Sequence, residues 1–288
     1  MIELGIGADI VRGVVLIYWL VCLGFAALAL WLGTSGPRKV VYALLVVLLF
    51  VAPGLPNLYR NLDYRHKYAK AKTLFDERCK AADATIYRTV ENVEGVLLLN
   101  VRPDDKAASR ADPRWADAGL PDEAGGQHYV RTFLQWEHRQ FANQRGYVND
   151  EATDSSSYGV SPGFSFVDVQ ERDGAVYRYR LGASVTEALS RAPIAGNPAR
   201  YAVSFTNDAN PDDRKYWIAG TTVTITDMTD NAVVAKSTWY ALEPGQGERG
   251  GGRAPWGFAQ RCPAWSSPLG AQTRMFVDQV LKPSGRNE

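Results

Sequence analysis

The sequence lacks an excess of charge of either sign: 32 Lys+Arg stand against 31 Asp+Glu, a formal net charge of +1. A nucleic-acid binder usually needs a basic surplus to displace counterions from phosphates, so no nucleic-acid partner is expected. Cysteine and histidine are scarce, three of each. That is too few for a disulfide-dense miniprotein or a protein with several metal centres, and neither metal nor cofactor is expected. Charge is missing altogether from residues 13–37 and 40–59, so the 46% hydrophobic share is concentrated at the N-terminal end. No internal repeat is evident.

Residues 13–32 read GVVLIYWLVCLGFAALALWL. At 1.5 Å rise per residue such a helix spans about 30 Å, the thickness of a bilayer's hydrocarbon core. Residues 40–58 form a second apolar run, with Pro53 and Pro56 near its end. Those prolines are expected to break the helix at the interface. Trp31, Tyr42 and Tyr59 suit interfacial positions, whereas Trp19 lies too deep. One apolar run alone also describes a core helix of a soluble protein; two side by side favour a hairpin anchor. A cleaved signal peptide fits poorly, because the first run is too long and only Arg12 stands before it against Glu3 and Asp9. The expected organisation is a two-helix transmembrane anchor over residues 1–60 and one soluble domain over residues 61–288, with the bilayer as first partner.

Charge counting and cysteine usage point to opposite sides of that bilayer. Arg60, Arg65, Lys67, Lys70 and Lys72 follow the second run, against Arg38 and Lys39 in the loop. The positive-inside rule then places the domain in the cytoplasm, although long domains translocate largely regardless of flanking charge. The loop Gly-Pro-Arg-Lys also resembles the cytoplasmic flank of a signal anchor. Cys22 lies within the first run and reads as a small packing residue. Cys79 and Cys262, one near each end of the soluble part, are either two buried thiols or one disulfide. A bond would contribute about 5 kcal/mol in the chain-entropy model and would persist only in an oxidising compartment.

In the soluble part, Tyr64, Tyr68, Ala71, Phe75, Cys79 and Ala82 recur at steps of three and four, predicting a helix over residues 62–82. Residues 85–89 and 95–101 read as strands, 104–127 as a loop, and 130–143 as a short helix carrying Phe133, Leu134, Trp136 and Phe141. Residues 164–169 and 176–181 flank Asp173-Gly174, a hairpin signal. Residues 184–191 suggest a helical piece with Ser184 and Glu187 at capping-box spacing. A second hairpin is expected from residues 217–226 and 232–242, and a final helix over 272–281. Helices bracketing an antiparallel set of strands make α+β the expected class.

No catalytic template is satisfied. Gly159-Val-Ser161-Pro-Gly163 has the letters of a nucleophile elbow, but Pro162 lacks the N–H that the oxyanion hole requires, and all three histidines precede the serine. Gly245-Gln-Gly247-Glu-Arg-Gly250 has the letters of a dinucleotide fingerprint, yet Gly251-Gly252-Arg253-Ala254-Pro255 cannot open the helix it needs. Arg249, Gly250, Gly251, Gly252, Arg253 and Trp256 have two readings: a loop pinned by Trp256 and Cys262, or backbone able to approach a ligand as an anion nest. Glu91 and Glu94, Asp212 and Asp213, and His128 and His138 are candidate pairs without a fixed separation in space.

Residues 79–95, CKAADATIYRTVENVEG, and 250–256, GGGRAPW, with Tyr216-Trp-Ile-Ala-Gly220 between them, resemble a group of proteobacterial membrane-anchored proteins of unknown function. The resemblance covers most of the soluble part and brings no catalytic residues with it. It implies a single exported, membrane-proximal domain whose two cysteines correspond to Cys79 and Cys262. Members carry one anchoring span, so the additional first span departs from their pattern. The expected function is a non-enzymatic binding domain held at the bacterial inner membrane and facing the periplasm. It would recognise a protein or envelope partner, toxin immunity being one form. An envelope hydrolase with unidentified carboxylates and an accessory subunit of a membrane complex are the alternatives. For the latter, Gly24, Ala26, Ala27 and Ala29 would allow close helix packing.

Overall fold

The structure, a computed structural model, describes residues 5–32, 35–103, 120, 123–139, 158–182, 188–208, 210–244, 256, 259–263 and 272–284, with backbone alone for 5–11, 135–139 and 158–162. The chain divides into two compact units, Met1–Lys67 and Tyr68–Glu288.

The first unit is helical. α1 (Gly5–Leu32) contains the first apolar run and α2 (Gly36–Val51) most of the second; the helical stretches Arg12–Leu32 and Gly36–Ala81, the latter continuing beyond α2, are long and apolar enough to cross a membrane. α1 and α2 meet along a stripe of α1. Cys22 is buried there, a free thiol, and Tyr18 and Phe25 lie 5.3 and 6.1 Å from the Phe50 ring. Spacing of four and three residues along one helix face produces this stripe. The prolines interrupt the second helix as expected, but the chain stays helical beyond them. The backbone tightens into a 3₁₀ turn, Ala52–Gly54, and resumes as α3 (Leu55–Ala81). Pro53 and Pro56 each stand in the first turn of the segment they open, where an amide donor is not needed. Tyr18 donates its hydroxyl to the Phe50 carbonyl at 2.5 Å, just before this break.

The second unit is α+β, as expected, but its sheet is mixed rather than antiparallel. Among the described strands the order is β1 (Ala84–Ile86), β11 (Ala232–Leu242), β10 (Ile218–Asp227), β9 (Tyr201–Asp208), β3 (Gly95–Leu98), β6 (Phe166–Gln170), β7 (Val176–Arg180), β8 (Ser190–Pro193), with β12 (Gln260–Cys262) also on β11. β3 runs parallel to both neighbours, with Val96 opposite Val167 on β6 and Tyr201 on β9. All four residues of β3 are buried. A strand covered on both faces is an unbroken apolar run, the pattern of parallel rather than antiparallel strands. The connection from β3 to β6 passes through α4 (Gly126–Leu134) and the strand pair β4 (Gln135–Arg139) and β5 (Tyr158–Pro162).

Both expected hairpins form. β6 pairs with β7 around Gly174, whose φ of +86° suits glycine. β10 pairs with β11 around Asn231, also left-handed at φ 57°. Three expectations are corrected. The helix expected from 130 to 143 ends at Leu134, so Trp136 lies in β4 and not on a helical face; Phe141 lies outside the described residues. Ser190 and Arg191 belong to strand β8 rather than to a helix, and residues 183–187 lie outside the described ones. Leu281 begins β13 (Leu281–Pro283), which pairs with β2 (Val90–Val93), instead of closing the last helix.

One face of the sheet carries Val96, Leu98, Val167, Val169, Val203, Val223, Ile225 and Trp239. Tyr129, Val130, Phe133 and Leu134 of α4 pack there, with Phe276, Val277 and Val280 of the helix Gln272–Val280. Glu123 accepts from the backbone N–H and the hydroxyl of Thr273, at 3.1 and 2.8 Å, placing a carboxylate at that helix's N-terminus. On the opposite face Ala71 and Phe75 of α3 pack on Ile218 and Leu242. Leu97 and Ala202 are covered there by Ala199, with Phe166 and Val176 partly buried alongside.

Candidate binding site

Cys79, in the last turn of α3, and Cys262, on β12, are joined in a disulfide with Cα atoms 5.6 Å apart. The amphipathic stripe aims Cys79 at the sheet, and β12 is held on β11 by Tyr240 opposite Cys262. A second tie lies beside it. Arg78 forms a two-pronged pair with Asp213, both bonds 3.1 Å, on the short helix α5 (Pro211–Lys215). Trp256 is wholly buried against Ala219 and Ala241, with the Arg214 guanidinium 5.1 Å from its ring. Arg249, Gly250, Gly251, Gly252 and Arg253 lie outside the described residues.

The buried aspartates are held by arginine. Asp168 on β6 accepts two bonds from Arg178 on β7, at 2.7 and 2.8 Å, and one from the backbone N–H of Ala199 at 2.8 Å. The Arg178 guanidinium also lies 3.7 Å from the Phe166 ring. Asp227 accepts from Arg200 at 2.9 and 2.7 Å and from Arg88. The Arg200 bonds, first among several donors, hold the Asp227 carboxyl well below the usual carboxylate range. A carboxylate fixed in its charged form by bidentate arginine is a poor proton donor or acceptor near neutral pH.

The sequence-level pairs come apart in the structure. Asp213 is buried on Arg78, while Asp212 is exposed and pairs with Lys215 at 2.8 Å. The Lys215 bond lowers the Asp212 pKa. His128 is exposed on α4 and His138 falls in β4. Ser161 sits inside strand β5, and no helix follows it. A Cβ on Gly163 would lie 2.3 Å from the Phe133 carbonyl, so that glycine serves close packing. Among the described residues no group of three or more His, Cys, Asp or Glu is placed to hold a metal ion.

Sequence reasoning missed a cavity of about 850 Å³. It opens at the carboxyl ends of the parallel strands β3 and β6, where the crossover to α4 begins. In α/β sheets the crevice outside the carboxyl strand ends is a recurrent place for ligands. Its floor is Leu99, Val101, Val130, Val169 and Tyr179, and its rim includes Asn100, Gln127, Gln170 and the β6–β7 turn. Asn100 is committed to the fold, donating to the Phe205 carbonyl at 2.7 Å and accepting from its N–H at 3.0 Å. The only local signal is GVLLLNV, an apolar run interrupted by one amide, Asn100, just before its end. The chain matches no protein-family model, no curated protein and no solved structure.

Proposed function

We propose that this chain is a membrane-tethered, non-enzymatic binding domain on the periplasmic side of a bacterial inner membrane, where it recognises a protein or envelope component. The observation that carries the reading is the pairing of two opposite features. One unit exposes two long apolar helices, and the other is closed by a disulfide. The apolar helices suit a hydrocarbon surrounding, and a disulfide suits an oxidising compartment. Binding is favoured over catalysis because the buried aspartates serve as ion-pair anchors while a roomy cavity opens at the carboxyl ends of β3 and β6.

A reporter enzyme that is active only after export, fused after Glu288, tests the compartment: activity is expected, and an inactive but intact fusion would remove it. Protein taken from cells under thiol-blocking conditions should shift on a non-reducing gel when reduced. The shift should vanish in Cys79→Ser and in Cys262→Ser alike; free thiols in the wild-type chain would count against the proposal.

A further inference from the structure

We infer that β1 is the docking edge for a second copy of this chain, the two β1 strands pairing antiparallel across a twofold axis centred on Thr85. The inference goes beyond the proposed binding role and takes from it only the membrane tether. β1 ends the described sheet and pairs on its inner side with β11. Its residues Ala84, Thr85 and Ile86 are all exposed. An edge strand presents unpaired N–H and C=O groups, and charge or proline commonly blunts it. The far edge β8 carries both, in Arg191 and Pro193. β1 carries neither, and Thr85 and Ile86 favour strand pairing.

A second observation singles out the same corner. From residue 69 onward, the described large apolar side chains that stand exposed are Ile86, Tyr87, Met228 and Val233. Tyr87 donates its N–H to the Val234 carbonyl at 3.0 Å, next to Val233, and Met228 opens the β10–β11 turn. Exposed apolar side chains gathered in one place mark an interaction surface.

The backbone sets the register. Because Tyr87 donates inward to Val234, strand alternation turns Thr85 inward as well and leaves Ala84 and Ile86 pointing outward. The Ala84 N–H accordingly meets the Asp83 carboxylate, at 2.7 Å, and not β11. A twofold on Thr85 sets Ala84 opposite Ile86 of the second copy, and the reverse, giving roughly four backbone bonds. The two Thr85 residues then form a non-hydrogen-bonded pair with Cα atoms about 4.5 Å apart. Asp83 precedes the strand and Arg88 follows it, and Arg88 stays half exposed although it pairs with Asp227. Antiparallel pairing brings the acidic end of each strand beside the basic end of the other, whereas parallel pairing would join like charges. On pairing, Asp83 yields the Ala84 N–H and comes opposite Tyr87 of the second copy, whose hydroxyl can donate. The contact is small, and tethering both copies in one membrane supplies the effective concentration that so short an edge needs.

The test uses the full chain in phosphatidylcholine vesicles, with Cys22→Ala removing the free thiol. Under copper–phenanthroline oxidation, Thr85→Cys should give a disulfide-linked dimer at least about tenfold faster than Tyr87→Cys, whose copies the twofold holds too far apart to bridge. Tyr87 is exposed, so its variant measures random collision. Without the new cysteine, Förster transfer between donor- and acceptor-labelled C-termini should exceed the random-proximity level at low protein density. Thr85→Glu faces Lys236 across β1 and β11, which suits the fold, but sets two like charges together at the twofold. It should weaken dimerisation about tenfold or more with circular dichroism unchanged. Random-level transfer, equal cross-linking of Thr85→Cys and Tyr87→Cys, or no effect of Thr85→Glu would overturn the interface. A Thr85-centred dimer alongside an inactive export reporter retires the compartment alone. A monomer alongside an active reporter retires the interface alone.

Discussion

The two units of this chain are folded inside out relative to one another. In the first, large apolar side chains stand exposed: Ile17 is 62% exposed, Leu23 64% and Leu49 71%. In the second, the apolar residues are inside, Val96, Val167 and Ile225 at 0%, and arginines hold the buried acids. The same residue types reach opposite places, so the difference concerns the surroundings each unit is built for. Water drives the second arrangement. The first would leave an apolar surface far beyond what a soluble monomer tolerates. The contrast shows also in what holds helices and strands together. Two hydrophobic faces suffice around the sheet, whereas α1 and α2 meet through small and aromatic residues and one hydroxyl.

The contrast is broken most severely at Arg178. Arg178→Ala leaves Asp168, fully buried, with only the Ala199 N–H of its three described bonds. An uncompensated buried charge costs about 3–5 kcal/mol. A denaturant titration following the second unit should show a loss on that scale. A loss under 1 kcal/mol would mean that water reaches Asp168 and that the core is looser than its geometry. Next in size is Leu23→Asp in the middle of α1. In hydrocarbon an aspartate near a helix centre costs about 3 kcal/mol, so the variant should move from the membrane fraction toward alkaline extraction. In water the same exposed substitution would fall within about 0.5 kcal/mol. Wild-type extraction behaviour would therefore erase the contrast between the units.

The acid sensitivity of the second unit comes third. Asp227 is depressed in the folded state, chiefly by Arg200. The unfolded carboxyl titrates near 3.9, so the stabilisation is fully present above that value and is lost as pH falls below it. Both arginine partners are about half exposed, 56% for Arg200 and 45% for Arg88, and this screens the pairs. Thermal melts should be flat from about pH 7 to pH 5 and decline toward pH 3. Asp227→Asn should lower the plateau and flatten that decline. An unchanged acid slope in the variant would assign the acid sensitivity to other carboxyls.

Much of this was legible in the sequence where the cause is local. The apolar runs, the turns at Asp173-Gly174 and Asn231, and the stripe that aims Cys79 inward all follow from neighbours in the chain. The parallel placement of β3 was written in its apolar run, but its partners are far away, and antiparallel hairpins on either side masked it. Trp136 went to a strand because β4 pairs with β5 across a long connection, a tertiary contact that overrides helical spacing. Beyond the apolar run of residues 95–101, the cavity has no local signature. Residues 99–101, 126–130 and 169–173 build it with Tyr179 of β7, and only the folded sheet and its crossover bring them together. The ion pairs were equally hidden, Arg78 and Asp213 being 135 positions apart.

The smallest expected effect sharpens the contrast from the first unit's side. At the proline break Pro53 cannot donate to the Leu49 carbonyl, and the next carbonyl, that of Phe50, receives the Tyr18 hydroxyl. In hydrocarbon a backbone acceptor near such a break has no water to turn to. Yet measured side-chain hydrogen bonds between membrane helices average only about 0.6 kcal/mol. Tyr18→Phe keeps the ring contact with Phe50 and removes only the hydroxyl. It should raise hydrogen exchange modestly, about threefold, in the amides around residues 50–55 of the nanodisc-embedded chain, with the disulfide-closed unit unchanged. No change would mean that the Phe50 carbonyl is already satisfied within its own helix. A change of a hundredfold or more would mean that one hydroxyl holds the hairpin as strongly as arginine holds the sheet, and the two units would then obey the same rule after all.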